Sequence, residues 1–187
     1  MYKKIFVIFV NLRAFVVPAR VIRYHLSMAP TTPYTEDLGG RDPIDAMRDT
    51  LARFRTLLSA WSPPDFDRSY APGKWSARQI LVHLAQTELG LGARARLALT
   101  TPGYVAQAFD QDRWLAREGA LGAREALDAL LAVGAMNASF FASLSSSDCQ
   151  ITFTHPEYGA ISIDWIVHQM AGHQIHHLRQ LERIMAR

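Results

Sequence analysis

Three histidines stand at positions where their imidazoles could meet: His173 and His177, four residues apart, and His83, far earlier in the chain. On a helix the i, i+4 spacing is one turn and about 40° of rotation, so two side chains can converge on one point. Both members of the pair fall in an apolar seam, Ile163, Ile166, Met170, His173, His177, Gln180 and Ile184. Burying imidazoles without partners costs free energy. A divalent transition metal held by neutral ring nitrogens would satisfy them, and His83, in the seam of another helix, could supply a third ligand. Three imidazoles suit Zn, Ni, Fe or Cu better than Mg or Ca, and leave coordination positions open. A histidine pair at this spacing also occurs without any ligand role, so the reading leans on the third histidine.

The remaining candidates carry blander expectations. His176 is turned about 100° from His177 and is expected to flank the site. His168 points away from the seam and is expected at the surface or the edge of the core, and His155 is read in a loop, where it could overhang a site mouth or serve turn chemistry with Pro156. Glu88, five residues beyond His83, is expected to be solvated or salt-bridged rather than a general base. Trp61, Trp75, Trp114 and Trp165 are expected in the core, and Gln180, one turn after His177, could bond a ligand or a water, or close the seam. No residue is singled out as catalytic. Cys149, the one cysteine, follows Ser145-Ser146-Ser147-Asp148 with no catalytic signature around it.

The elements that must position these side chains are helices. Ile44, Met47, Leu51, Phe54, Leu58 and Trp61 alternate by three and four, with Asp42 as N-cap, Pro43 in the first turn and Pro63-Pro64 as the stop. A second helix is predicted from Ser76, with Gln79 completing a capping box, to about Leu99, its inward stripe reading Ile80, His83, Leu84, Thr87 and Leu91. Residues 100–122 form a long connection with a short helix around Asp110–Arg117. A third helix follows over about Ala123–Leu144, where Gly134 suggests a close helix contact. Ile151–Thr154 and Ala160–Ile163 flank a turn and could form two extended arms, and a last helix runs over about Ser162–Met185. Four long amphipathic segments predict an all-α fold, a helical bundle with long connections.

Composition narrows the function classes. The chain has 187 residues and a formal net charge of +3, yet residues 1–27 alone carry Lys3, Lys4, Arg13, Arg20 and Arg23 with no carboxylate. The remainder therefore has no basic excess for nucleic acid. The apolar run Ile5–Val10 is too short and too interrupted to span a bilayer, so no membrane role is expected. A single cysteine excludes an intramolecular disulfide and fits a reducing, cytoplasmic setting. Residues 1–41 read as a leader, poorly ordered or an upstream extension, whose first 27 residues should pack little against the bundle of residues 42–187.

Three stretches together resemble the DinB superfamily, in its DinB/YfiT-like branch. Lys74-Trp75-Ser76 with Ile80-Leu81-Val82-His83-Leu84 is similar to the start of that family's second helix. His155-Pro156-Glu157-Tyr158-Gly159 with Ile161-Ser162-Ile163-Asp164-Trp165 resembles its entry into the last helix, and His173-Gln174-Ile175-His176-His177-Leu178 with Gln180 resembles its closing signature. The resemblance implies a four-helix bundle of up-down-down-up connectivity, often a homodimer, holding zinc or nickel through His83, His173 and His177. It further implies a metal-dependent transferase that activates a low-molecular-weight thiol for attack on a small-molecule electrophile. A metal-dependent hydrolase, or a non-catalytic metal-binding stress-response protein, stands as the alternative.

Overall fold

The computed structural model describes residues 29–186, so the expectation for residues 1–27 lies outside the described residues. Four long helices make the frame: α2 (Pro43–Ser59), α3 (Ala77–Thr100), α5 (Ala123–Ala142) and α7 (Ile163–Met185). Short helices α1 (Thr35–Leu38), α4 (Gln111–Arg117) and α6 (Ser146–Cys149) lie in the connections. Strands β1 (Thr152–His155) and β2 (Gly159–Ser162) form an antiparallel hairpin, with Thr152 opposite Ser162 and His155 opposite Gly159. The two extended arms read from the sequence are this hairpin, and Gly159 makes its turn at φ 69°.

The helix starts follow the expected chemistry. Asp42 accepts from the Asp45 N–H at 2.9 Å with Pro43 in the first turn. Ser76 and Gln79 exchange the two bonds of a capping box, at 3.3 and 2.8 Å. Ser162 accepts from the Trp165 N–H at 3.1 Å and opens α7. The first helix ends sooner than its stripe: α2 stops at Ser59, and Pro63-Pro64 begin a 3-10 turn over Pro63–Asp67. Trp61 is buried nonetheless, packed on Phe66 with ring centroids 5.4 Å apart.

Polar contacts along the helices fix their directions. Arg78 near the start of α3 donates to the Leu121 carbonyl just ahead of α5, and Arg96 near its end donates to Asn137, so α3 and α5 run parallel. Arg124 at the start of α5 donates to Leu58 at the end of α2, making that pair antiparallel. Arg53 late in α2 pairs with Glu182 late in α7, so these two run parallel. Arg68, ahead of α3, reaches the Ile184 carbonyl at the end of α7. The order is therefore up, down, down, up. Helices α2 and α3 sit diagonally, each packed against both α5 and α7.

The core between them is apolar and closely packed. Met47, Phe54 and Leu58 of α2, Ile80 and Leu84 of α3, and Leu130 and Phe141 of α5 are at most 1% exposed. Each such side chain contributes on the order of 1.5–3 kcal/mol by leaving water. Gly134 makes the close contact its position suggested: a Cβ there would lie 2.8 Å from Leu51 Cδ2 of α2. Among the described residues α5 is long and apolar enough to cross a membrane by composition, and it packs one face against α2 and α3.

The stretch ahead of α2 is packed against the bundle. Residues 32–39 fold back onto α7, with α1 lodged against it. Gly172 admits this approach, since a Cβ there would collide with the Tyr34 carbonyl. A four-residue helix has no periodicity to read, which is why the segment looked like leader.

Candidate metal centre

His83 projects from the second turn of α3, and His173 and His177 from successive turns of α7. The antiparallel pairing of the two helices brings the rings together. His173 Nε2 lies 3.0 Å from His83 Nε2 and 3.0 Å from His177 Nε2. The three rings pack edge to face, with centroids 4.5–5.1 Å apart. All three are 4–5% exposed. Two nitrogens on one tetrahedral zinc stand ~3.3 Å apart, so this cluster is close to ligand spacing.

The protonation states fit a cation. Burial pushes His83 down to about 4, and burial with the neighbouring imidazoles pushes His177 down to about 3. His173 is held well below its usual range by burial, then by His177 and His83. All three are neutral at pH 7, the form that ligates. The His177 Nδ1–H donates to Gln180 Oε1 at 2.8 Å, which leaves the Nε2 lone pair facing the cluster. A single N–H at His173 Nε2 can serve only one of its two neighbouring nitrogens, whereas a divalent ion would engage all three lone pairs at once.

A chain of polar contacts supports the pair from behind. Gln180 Nε2 donates to His176 Nε2 at 3.0 Å, and the other nitrogen of His176 meets Asp37 Oδ2 at 3.2 Å. Asp37 also pairs with Arg179. Both nitrogens of His176 are thus engaged away from the cluster, as its 100° offset anticipated. His168 is buried and bonded at Nδ1 to the Asp164 carbonyl, and His155 is buried at the end of β1, where its Nδ1 accepts from the Glu157 N–H of the following turn at 3.2 Å.

Aromatic side chains wall the site. Trp75 lies with its ring centroid 4.9 Å from that of His83 and stacks at 6.5 Å on His177, so it is a wall rather than a core residue. Tyr34 meets the edge of His173 at 5.0 Å, and Phe109 stacks on His83 at 6.4 Å. Trp114, at 39% exposure, covers Phe109 instead of entering the core. Beyond Phe109 lies a largely apolar cavity of about 160 Å³ lined by Thr87, Leu91, Arg94, Tyr104 and Trp114.

Glu88 departs from its expected solvated state. It is 2% exposed and accepts from Asn137 Nδ2 at 2.9 Å and Gln174 Nε2 at 2.6 Å. Burial raises its pKa to about 7 against the lowering effect of those two bonds. The overlooked signal was spacing: Leu81, Glu88 and Ala95 recur at sevens and are all buried. Tyr34 and Phe109 carried no signal, because both lie in segments without periodicity.

The sequence profile of the DinB superfamily matches residues 46–181. The chain belongs to the DinB superfamily. A protein of Oceanobacillus iheyensis, provisionally named a metal-dependent hydrolase, is 32% identical over 145 residues, covering 77% of this chain and 84% of that protein. A second protein of that organism with the same provisional name is 26% identical, covering 70% and 76%. YfiT from Bacillus subtilis, described as having an unusual four-helix bundle topology, superposes with a TM-score of 0.68 at 19% identity, over 87% of this chain and 94% of that one. That likeness is one of fold, and the up-down-down-up order agrees with it.

Proposed function

We propose that this DinB superfamily member is an enzyme that binds one divalent transition metal, zinc or nickel, through His83, His173 and His177, and uses it to activate a small nucleophile. The observation that carries the reading is the convergence of three neutral, buried imidazoles, two of them 3.0 Å from the third. A metal held there supplies Lewis acidity and lowers the pKa of a coordinated water or thiol. The chain's own residues do the rest. Gln180 fixes the tautomer and ring plane of His177. Tyr34, Trp75 and Phe109 restrict water around the rings. The cavity behind Phe109 offers a bed for a substrate larger than water.

Two nucleophiles fit this frame. A low-molecular-weight thiol gives S-transfer to an electrophile, and the cavity favours it by giving the body of a thiol or electrophile somewhere to lie. Water gives hydrolysis, which the provisional names of the relatives favour. The test is to load purified protein with zinc or nickel and assay it with activated esters, and separately with a panel of biological thiols and a generic electrophile. Metal-dependent turnover in one series, abolished by chelation, is expected and identifies the nucleophile. A complete absence of metal-dependent turnover in both would favour a non-catalytic, metal-binding role.

A further inference from the structure

Arg94 follows His83 by eleven residues, three turns of α3, and so lies on nearly the same face about 20° away. Thr87, Gly90 and Leu91 lie between them on the helix and line the cavity, whose lining includes Phe109, itself stacked on His83 at 6.4 Å. Arg94 is 8% exposed, and among the described residues it forms no ion pair. Its guanidinium donates to the Gln107 carbonyl and lies 3.1 Å from His155 Nε2. The Glu157 N–H donates to the other nitrogen of that same ring, Nδ1, at 3.2 Å. A neutral imidazole accepts at one nitrogen only, so two donors compete for one acceptor. Burial and the adjacent Arg94 charge both disfavour protonation of His155, which would remove even that acceptor. The Glu157 carboxylate acts on both Arg94 and His155 through space without forming an ion pair with either among the described residues. The corner thus holds a cation with surplus donors beside an apolar cavity, where an entering anion would gain direct charge-assisted bonds.

We propose that this cavity is the substrate-recognition subsite of the histidine centre, and that Arg94 binds the carboxylate of a small molecule whose reactive end lies at His83. The proposal rests on the metal-centre reading above and names the class of molecule it takes. The rise from His83 to Arg94 is about 16 Å along the helix, and because both side chains lean towards the N-terminus their offset stays of that order. The carboxylate therefore sits on the order of 10–15 Å from the reactive end. The planar guanidinium fork suits a carboxylate, and charge-assisted bonds in an apolar setting are the strong ones. Gly90 faces open space in the cavity, since a Cβ there would meet nothing within 4 Å.

Calorimetry tests this without any activity assay. Zinc-loaded protein is titrated with ω-mercaptoalkanoic acids of increasing length and with the matching alkyl thiols. At the chain length that spans the cavity, the acid should bind about tenfold tighter than the neutral thiol, the worth of one charge-assisted bond. Arg94→Met should abolish that preference and leave zinc affinity unchanged. Gly90→Leu, which keeps Arg94 but fills the cavity, should weaken the long acids and spare zinc, so the test survives a misfolded Arg94 variant. Equal binding of acid and neutral thiol at every length, or a preference that persists in Arg94→Met, would overturn the subsite. Should wild-type protein bind no zinc, the metal reading fails by itself. The subsite is then judged on metal-free protein with alkanoic acids and the corresponding alcohols, where the same Arg94-dependent preference supports it and its absence overturns it.

Discussion

At Glu88 a carboxylate sits among three helices with two side-chain amides as its partners, so its ionised form is held at a cost to the folded state. Its folded pKa of about 7 stands above the usual 4.5, and the folded chain therefore binds the extra proton between those values. Stability from this group is fully present below about pH 4.5 and is lost as pH rises through 7. The magnitude is about 3 kcal/mol. Glu88→Gln keeps the shape without the titration, so its stability relative to wild type should grow from pH 5 to pH 8. Urea denaturation at both pH values checks this, and a constant difference would show that Glu88 ionises freely. Residues repeating on a helical face were legible, His83, His173, His177 and Gln180 among them. Glu88 was misread because its chemistry was weighed before its position on the buried face.

Between elements, the docking of residues 32–39 onto α7 depends on Gly172, whose missing side chain leaves room for the Tyr34 backbone. Gly172→Val should force the two apart and cost about 1–3 kcal/mol, as overpacking does. Limited proteolysis should then cut near residues 35–40 faster than in wild type, while the far-ultraviolet circular dichroism of the bundle stays helical. Unchanged protection would mean that the segment docks without this close contact. Four long helices, the caps of the first two and the order along the chain could be read because amphipathic spacing repeats over more than four turns in each. Helix α1 could not, since its place is set by a gap on another element. The early stop of α2 was missed for a related reason: Trp61 is buried by the turn after the helix, so the apolar stripe outran the helix itself.

For the whole molecule, the four-helix core and the metal make separable contributions. The core buries Phe54, Phe141, Ile166 and Met170 completely or nearly so without any ion, so the metal-free chain should stay folded and helical. Zinc at a thousandfold excess over its Kd should add about 4 kcal/mol, seen as a rise in Tm that tracks zinc concentration. A Tm indifferent to zinc would mean that the bundle holds none. If His83, His173 and His177 together hold one metal ion between two helices, the metal content of the protein must depend on each of them. Elemental analysis of protein purified after zinc loading compares wild type, His83→Ala, His177→Ala and His176→Ala. One metal ion per chain is expected in wild type and in His176→Ala, and loss of most of it in His83→Ala and His177→Ala, all four remaining helical. Full metal retention in His83→Ala, or loss confined to His176→Ala, would contradict it.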